Sequence, residues 1–442
     1  MNRRNFLQKS AISAVSVGLA PLIGSSYSSI YGQTSPGNKV KVGLIGCRGQ
    51  GYANLSEFLK YPEVECVALC DVDDEWLNKR AGDVEQQSGK KVPNLYKDWR
   101  RIIDNKDVDA VIIGTPDHWH CLPMVFAVQA GKDVYVEKPL SNTIEECNLM
   151  VKAAHKYNNR IVTVGQWQRS DPHWDDAVAY LHAGHIGRIR SVKVWAYQDS
   201  KHTLPKIPDS APPAGVDYDM WLGPAPERPF NQYRFHDTFR FFWDYSGGLM
   251  TDWGVHLLDY ALEGMGVGLP ERVFSGGGKF GYPDDAMETP DTLMVTYAYK
   301  DFNITWDHAC GINLGLYDKR EGLAFYGENG TMILTRDDWE VIPVVVNNVP
   351  RMEAPAPFKR REWKGPYNHV GNFLSCVKSR QAPACGIEIG SRVATLSHLG
   401  NISCRLQREI RWDDANSCFI NDDEANAMIK AHYRAPWELP KL

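Results

Sequence analysis

The chain has 442 residues, of which 43% are apolar and 23% are charged, so it is long enough for two or three domains with hydrophobic cores of their own. Its formal net charge is -5 and it contains no block of basic residues. This balance excludes the electrostatic footprint of a protein that binds nucleic acid or an anionic membrane. The composition is typical of a soluble globular protein.

The first 33 residues have the features of an export signal and a linker. Arg3 and Arg4 precede an apolar run over residues 11–24, which Pro21 interrupts. The run is too short to cross a bilayer, and the arginine pair is of the kind that the bacterial route for folded proteins reads. We therefore expect a periplasmic location, although no clear A-x-A cleavage site follows. A cytosolic amphipathic extension is the alternative.

A strand, a glycine-rich turn and a helix come next. The apolar segment 40–45 leads into Gly46, Gly49 and Gly51, and an apolar-periodic segment follows. Such a turn lets backbone N–H groups approach a pyrophosphate at a helix N-terminus. The fingerprint G-x-G-x-x-G is imperfect, because Arg48 stands at its middle glycine.

The second strand supports a dinucleotide site. It covers residues 64–69 and is followed by Cys70 and Asp71, about 20 residues beyond the turn, as ribose recognition requires. An aspartate there accepts hydrogen bonds from the ribose hydroxyls and repels a 2′-phosphate. NAD is therefore favoured over NADP.

The same alternation continues to residue 165. We predict helices at 99–105, 122–130 and 143–154 and strands at 109–114, 134–136 and 161–164. Thr143 and Glu146 form a capping box at the start of the last helix. Repeated strand and helix alternation predicts a doubly wound parallel sheet, so we assign an NAD-binding Rossmann domain to residues 38–165.

The strand at 134–136 ends in Glu137, Lys138 and Pro139. Two charges and a rigid imino acid thus stand where the strand leaves the sheet. Ligands of open α/β sheets bind outside the carboxyl ends of the strands, so Lys138 is expected to point into the crevice. A solvated lysine that caps the strand is the alternative.

The remainder, residues 166–442, has a different pattern. A proline-rich passage at 204–230 precedes strand-like segments with the alternation of a half-exposed antiparallel sheet. We therefore predict an α+β domain with a large, mostly antiparallel open sheet and helices on one face. His369 and Asn372 share a face of one predicted helix and could reach the cleft, but packing or capping is favoured for them.

Asp252, His256 and Asp259 share one stripe if their segment is a single helix. Three titratable groups on one stripe indicate acid/base catalysis, a hydrogen-bonded structural cluster or a metal site. A metal would enlist His118 and His120 as well. The residues alone leave these three interpretations open.

Ten cysteines occur without a C-x-x-C pair. Four of them fall in or beside predicted core strands, namely Cys47, Cys66, Cys70 and Cys121. We interpret most of the cysteines as small buried apolar residues.

Four motifs, in their order and spacing, resemble the Gfo/Idh/MocA oxidoreductases, the relatives of glucose–fructose oxidoreductase and inositol dehydrogenase. They are GLIGCRGQG, TPDHWH, VEKPLS and DWGVHLLD. The resemblance covers nearly everything from Lys39 onward. It implies a Rossmann domain, a second domain for substrate binding that often builds dimers or tetramers, and a sugar, polyol or glycoside substrate.

The resemblance also implies roles for matching residues. Lys138, Asp252 and His256 would be catalytic, and Pro139 is often cis in relatives. The cofactor site would comprise Gly46, Gly49, Gly51, Asp71, Thr115, Pro116, His120, Glu137 and Lys138. No metal is implied.

The expected function is hydride transfer between a secondary alcohol and a tightly bound nicotinamide cofactor. A histidine whose ordinary pKa is about 6.5 suits removal of the hydroxyl proton, and a lysine ammonium would stabilise the alkoxide. Tryptophan faces for a pyranose are offered by Trp167, Trp221, Trp243 and Trp253. Because free NAD is scarce outside the cytoplasm, an exported enzyme should carry its cofactor with it.

Two alternative functions remain. An NAD-dependent, redox-assisted glycoside hydrolase is disfavoured, because that branch of the family usually lacks the EKP and D-x-G-x-H pattern. A non-catalytic sugar or dinucleotide sensor would be expected to lose Lys138 or His256, and both are present.

Overall fold

The computed structural model describes residues 39–201, 203–360 and 365–442. The first part of the described chain forms a six-stranded parallel sheet with helices on both faces. The predicted export signal lies outside the described residues. The strands are β1 (Val40–Ile45), β2 (Val64–Cys70), β3 (Asn94–Tyr96), β4 (Ala110–Ile113), β5 (Asp133–Val136) and β6 (Val162–Val164). The helices are α1 (Gly49–Phe58), α2 (Asp74–Ser88), α3 (Arg100–Asp104), α4 (Cys121–Gln129) and α5 (Ile144–Lys156).

The strand order β3-β2-β1-β4-β5-β6 is that of a dinucleotide-binding Rossmann fold. Strands covered on both faces read as continuous apolar runs, and every residue of β4 is buried. The predicted doubly wound sheet is thus confirmed. Helix α2 escaped prediction because only Leu77 and Val84 of its residues are buried, which leaves a weak apolar period.

The second part of the chain contains a ten-stranded sheet, and the prediction of a mostly antiparallel open sheet is confirmed. Its strand order is β16-β13-β12-β11-β7-β10-β9-β8-β17-β18, in which only β7 and β10 pair in parallel. The strands, with the separate hairpin β14–β15, are β7 (Ile189–Gln198), β8 (Arg272–Gly278), β9 (Thr292–Ala298), β10 (Asn303–Cys310), β11 (Glu321–Gly327), β12 (Gly330–Leu334), β13 (Asp338–Pro343), β14 (Val345–Val346), β15 (Val349–Pro350), β16 (Phe358–Lys359), β17 (Ile410–Asp413) and β18 (Cys418–Phe419).

Helices cover one face of this sheet, and the main hydrophobic core lies between the sheet and these helices. The helices of this part of the chain are α6 (Pro172–His182), α7 (Tyr218–Leu222), α8 (Gly248–Asp252), α9 (Gly254–Met265), α10 (Tyr367–Ser379), α11 (Ile387–Leu406) and α12 (Asp423–Ala427). The alternating burial of β9 places every second side chain in that core.

Helix α10 packs against the first sheet rather than the second. The ring of Phe373 lies 5.7 Å from that of Phe58 on α1. His369 bonds to Ser170 and to the Val164 carbonyl oxygen, and the Asn372 side chain accepts a hydrogen bond from a backbone amide. These two residues therefore have the packing role that was favoured for them.

All ten cysteines are free, and eight of them are buried. Burial raises the pKa of the Cys66 thiol to about 12, so it stays protonated at neutral pH. Among the described helices, none combines the length and the apolar character that a membrane span needs.

Candidate active site

A cleft of about 550 Å³ lies at the carboxyl ends of the parallel strands. Its first wall comes from the turns that follow β1, β2, β4 and β5. Its second wall comes from the aromatic segment before α8, from the start of α9 and from the turn after β12. Residues Lys39–Leu442 pack as one compact unit, so the two walls belong to a single site. This is the edge at which open α/β sheets bind ligands.

The glycine-rich turn brings the start of α1 to the cleft. Gly46 has φ +85°, and a Cβ on Gly51 would lie 2.0 Å from the Gly46 carbonyl oxygen. Only glycine therefore allows this close approach. No side chain caps α1, so its first N–H groups face the space lined by Arg48, Gly49 and Gln50. Such a helix start fits a pyrophosphate.

Asp71 lies at the end of β2 and lines the same cleft. Its carboxylate accepts hydrogen bonds from the Cys47 and Asp73 amides, at 2.7 and 3.0 Å. Burial outweighs these bonds and raises its pKa to about 6. The hydroxyl of Thr115 is buried without a partner among the described residues, so a polar ligand atom would satisfy it. The residues present thus fit a dinucleotide.

Seven of the nine predicted cofactor residues line the cleft, and Gly51 and His120 do not. The buried imidazole of His120 instead lies between two carbonyl oxygens, 2.7 Å from that of Pro139 and 2.9 Å from that of Thr115. It therefore joins the loop after β4 to the loop after β5. His120 thus shapes the pocket without lining it, and its contact with the cofactor stays a prediction.

Lys138 crosses the cleft to the second wall. Its Nζ donates to Asp252 Oδ1 at 2.7 Å and to the Asp252 carbonyl oxygen at 3.0 Å. The Nε of Arg240 lies 3.5 Å from the same Oδ1. Burial alone would raise the pKa of Asp252, but these two cations outweigh it and hold that pKa well below its usual value. Lys138 is thus an ion-paired cleft residue, and the solvated cap is not what the structure shows.

His256 lies in the first turn of α9, 6% exposed and beside this ion pair. Its Nδ1 is 2.9 Å from Gln168 Oε1, and Gln168 Nε2 donates to the His256 carbonyl oxygen at 2.6 Å. An amide oxygen is only an acceptor, so Nδ1 carries the proton and Nε2 is left as the basic nitrogen. Burial, aided by the cations of Lys138 and Arg336, lowers the His256 pKa well below 6.5.

The predicted stripe of three titratable groups is wrong for Asp259. The chain breaks between α8 and α9 at Trp253, so Asp252 belongs to a different helix. Arg169 donates two hydrogen bonds to the Asp259 carboxylate, at 2.6 and 2.7 Å. Asp259 does not line the cleft. This pair is structural.

No group of three or more potential metal ligands occurs in the described ranges. The ring nitrogen Nε2 of His118 lies 3.0 Å from the Trp221 carbonyl oxygen, and His120 is engaged as described above. The side chains that a metal site would have enlisted are therefore bound to backbone oxygens.

The tryptophans divide into two groups. Trp167 and Trp221 line the cleft. Trp253 and Trp243 do not line it; the guanidinium of Arg336 lies 4.3 Å from the ring centroid of Trp253, and that of Arg405 lies 4.9 Å from the ring centroid of Trp243.

One ion pair and one contact between an imidazole and a carboxylate connect the walls at the cofactor end, and we call these two contacts the clasp. Arg48 Nη1 lies 3.1 Å from Asp237 Oδ1, and His236 Nε2 lies 3.2 Å from Asp73 Oδ2. Burial lowers the His236 pKa to about 4, so this imidazole is neutral near pH 7. The residue that departs from the glycine fingerprint therefore holds the two walls together.

Comparison with known proteins identifies the chain. The model of an oxidoreductase family with an NAD-binding Rossmann fold matches residues 40–166, and that of its C-terminal alpha/beta domain matches 189–266 and 292–439. The chain belongs to the Gfo/Idh/MocA oxidoreductase family. The part of the chain with the six-stranded sheet is the NAD-binding Rossmann domain of that family. This agrees with the cleft residues, which fit a dinucleotide.

Curated relatives of this Gfo/Idh/MocA protein match over about a third of their length. A glycosyl hydrolase family 109 protein of Solibacter usitatus is 32% identical over 151 residues, 33% of this chain and 34% of that protein. One from Shewanella baltica is 28% identical over 172 residues, 35% of this chain and 37% of that protein.

Solved structures share the fold over most of the chain. Levoglucosan dehydrogenase in complex with NADH and levoglucosan is 20% identical, with a TM-score of 0.62, over 84% of this chain and 99% of that one. Aldose–aldose oxidoreductase from Caulobacter crescentus is 19% identical, with a TM-score of 0.63 and the same coverage. Myo-inositol 2-dehydrogenase from Lactobacillus plantarum is 18% identical, with a TM-score of 0.62, over 84% and 99%.

Proposed function

We propose that the protein is an oxidoreductase that transfers a hydride between a secondary alcohol of a sugar, polyol or glycoside and a tightly bound NAD. The observation that carries this proposal is the convergence of Lys138 from the Rossmann domain with Asp252 and His256 from the second domain, in one cleft with the dinucleotide turn. The solved relatives with this fold include enzymes named for levoglucosan, aldoses and inositol.

The side chains have complementary roles in this reaction. A bound nicotinamide would supply the acceptor for the hydride of the carbinol carbon. His256 Nε2 accepts the hydroxyl proton, because the bond to Gln168 leaves that nitrogen unprotonated. Lys138 donates a hydrogen bond to the oxygen as negative charge develops on it. Asp252 stays ionised and fixes the position of the ammonium.

A tightly held cofactor is supported by the clasp, which spans the cofactor end of the cleft. Retention suits the export proposed from Arg3 and Arg4, because a periplasmic enzyme would need to carry NAD with it. Its nucleotide would then be restored while bound, either by a second sugar or by a partner that reoxidises it.

We also propose that the protein forms homo-oligomers through the open face of the ten-stranded sheet. Phe274 and Met294 on the adjacent strands β8 and β9 are 56% and 62% exposed. Large apolar side chains left on one sheet face are typical of a surface that a second copy covers.

A redox-assisted glycoside hydrolase is the second candidate, and the family 109 relatives favour it. In that reaction the same base and cofactor would act transiently, and no net change of the nucleotide would result. The EKP and D-x-G-x-H motifs argue for the oxidoreductase. A non-catalytic sensor is the third candidate, and it leaves the Lys138–Asp252 and His256–Gln168 contacts without a chemical use.

Absorbance at 340 nm of the purified protein, with its bound NAD, tests these candidates. Addition of methyl glucosides, free sugars and inositols should produce reduced cofactor with at least one of them. Release of p-nitrophenol from p-nitrophenyl glycosides without lasting reduction would support the hydrolase. If sugars bind but neither signal appears, the protein is a sensor and the proposal is wrong.

A further inference from the structure

Two cations at the substrate end of the cleft lie beyond ion-pair distance of every carboxylate in the part of the chain that the structure describes. Of the four that line this end, Lys138 and Arg240 both contact Asp252. Lys201 and Arg336 form no ion pair within the described ranges. Burying the charges of these two cations in a partly enclosed cleft costs free energy of folding, unless a ligand of opposite charge compensates them.

Arg336 is oriented before any ligand arrives. Its guanidinium lies 4.3 Å from the ring centroid of Trp253 and 5.4 Å from that of Trp167. Its backbone N–H donates to Glu321 Oε1 at 3.2 Å, which anchors the turn that carries it. A stacked guanidinium keeps its planar set of N–H donors available at its edge.

The neighbouring acids compensate this charge only in part, because Glu321 and Asp252 act to raise the pKa of Arg336 but burial outweighs them and lowers it. Glu321 bonds the backbone of Arg336, and its other oxygen is buried without a partner among the described residues. Burial raises the pKa of Asp117 to about 7, although Ser246 donates a hydrogen bond to it, so Asp117 offsets only part of the positive charge. The Nζ of Lys201 lies 5.9 Å from the Phe241 ring, which carries no charge.

The position of Arg336 separates it from the cofactor phosphates. The pyrophosphate end of the cleft is marked by Arg48, Gly49 and Gln50 at the start of α1. Arg336 lies over Trp253, the residue that follows Asp252, and its charge acts on His256. A ligand group bound there would therefore belong to the substrate.

We propose that Arg336, assisted by Lys201, forms a subsite for an anionic group of the substrate, which makes the preferred substrate an acidic carbohydrate. A carboxylate, as in a uronate, and a phosphate or sulfate ester share this chemistry, because each offers two oxygens to a guanidinium. The inference rests on the proposed function for the identity of the reacting carbon, whereas binding at the subsite is independent of turnover.

Equilibrium binding to the NAD-loaded protein tests the subsite. Tryptophan fluorescence, to which Trp167 and Trp253 contribute, would be titrated with glucose, glucuronate, glucose 6-phosphate and glucose 6-sulfate. We expect at least one anionic sugar to bind about 10-fold or more tightly than glucose, as a charge-assisted pair requires. The three anionic probes distinguish a carboxylate from the two esters. Equal affinity for all four sugars overturns the proposal.

Variants assign the preference to its residues. Arg336→Gln should remove the preference, whereas Arg336→Lys keeps the charge and should retain part of the preference. Arg411→Gln, which removes an exposed cation outside the cleft, is the matched control and should behave as the native protein. If Arg336→Gln keeps the full preference, or if neither Arg336 variant differs from the control, the subsite is refuted.

Absorbance at 340 nm in the same samples separates this inference from the proposed function. Selective binding of an anionic sugar without reduction of any substrate would support the subsite and refute the oxidoreductase. Reduction by neutral sugars, with no preference for anionic ones, would refute the subsite and support the oxidoreductase.

Discussion

The ammonium of Lys138 lies 2.7 Å from the carboxylate of Asp252, although 114 positions separate the two residues in the chain. This pair joins the loop after β5 to the end of α8, and each partner is 14% exposed in its side chain. Asp252 accepts two of the three N–H donors of the ammonium, which leaves one donor for a ligand in the cleft that Lys138 lines. The same contact thus assembles the site and positions the group that would stabilise an alkoxide.

Replacement of Lys138 by methionine should reduce hydride transfer strongly. Loss of one preorganised electrostatic donor lowers kcat by about 100- to 1000-fold. The decisive measurement is the rate of the 340 nm change with the best sugar substrate. Lys90→Met removes an exposed lysine that pairs with Glu65 far from the cleft, and it should leave that rate unchanged. A Lys138→Met protein with native kcat would contradict the assigned role.

The pH profile should report His256. The base must be neutral, so kcat/KM rises with pH through its pKa and is constant above it. Burial and then the Lys138 and Arg336 charges lower that pKa, which places the acid limb below pH 6.5. Removal of the ammonium in Lys138→Met should shift the limb to higher pH. A limb that stays in place in this variant would show that another group is being titrated.

Gln168→Leu should lower kcat more than it changes sugar affinity. The amide oxygen of Gln168 holds the proton on His256 Nδ1, and its loss lets the ring turn or change tautomer. The expected decrease in kcat is about 10- to 100-fold, within the range for general base catalysis. Gln168→Glu keeps an acceptor at the same place and should retain more activity than Gln168→Leu. The opposite order would exclude the orienting role.

Asp71 should determine the choice of dinucleotide. Its carboxylate lines the cleft at the end of β2, where it would repel a 2′-phosphate. Asp71→Ser should therefore weaken NADH binding and improve NADPH binding, with a change in their ratio of about 10-fold or more for one charge contact. Glu75→Gln, an exposed acid on α2, is the control. Fluorescence titration of the cofactor-free protein measures the dissociation constants of NADH and NADPH.

The clasp should control how long NAD stays bound. Arg48→Gly restores the glycine of the fingerprint but removes the ion pair with Asp237. We expect faster loss of NAD on dilution, by about 5-fold if the partly exposed pair contributes about 1 kcal/mol. Asp237→Asn should have the same effect, since it breaks the same contact from the other wall. Unchanged retention in both variants would show that the clasp does not hold the cofactor.

Several features of the protein were determined by local sequence. Continuous apolar strands such as β4 have to be buried on both faces, so the parallel sheet was predictable from the chain alone. The rule that ligands bind at the carboxyl ends of such strands placed Lys138 and Asp71 at the cleft correctly. His256 was found through its spacing from Asp252 in the D-x-G-x-H motif.

Other features were decided only by the tertiary structure. The helix break at Trp253 sends Asp259 to Arg169, which helical spacing could not reveal. His120 supports the loops beside the cleft without facing it. Gln168 and Arg336 act on His256 from separate segments, and nothing in their own neighbourhoods marks them as site residues. Periodicity reports which face of an element is buried, whereas the electrostatic environment of an imidazole depends on side chains that only folding brings within a few ångströms.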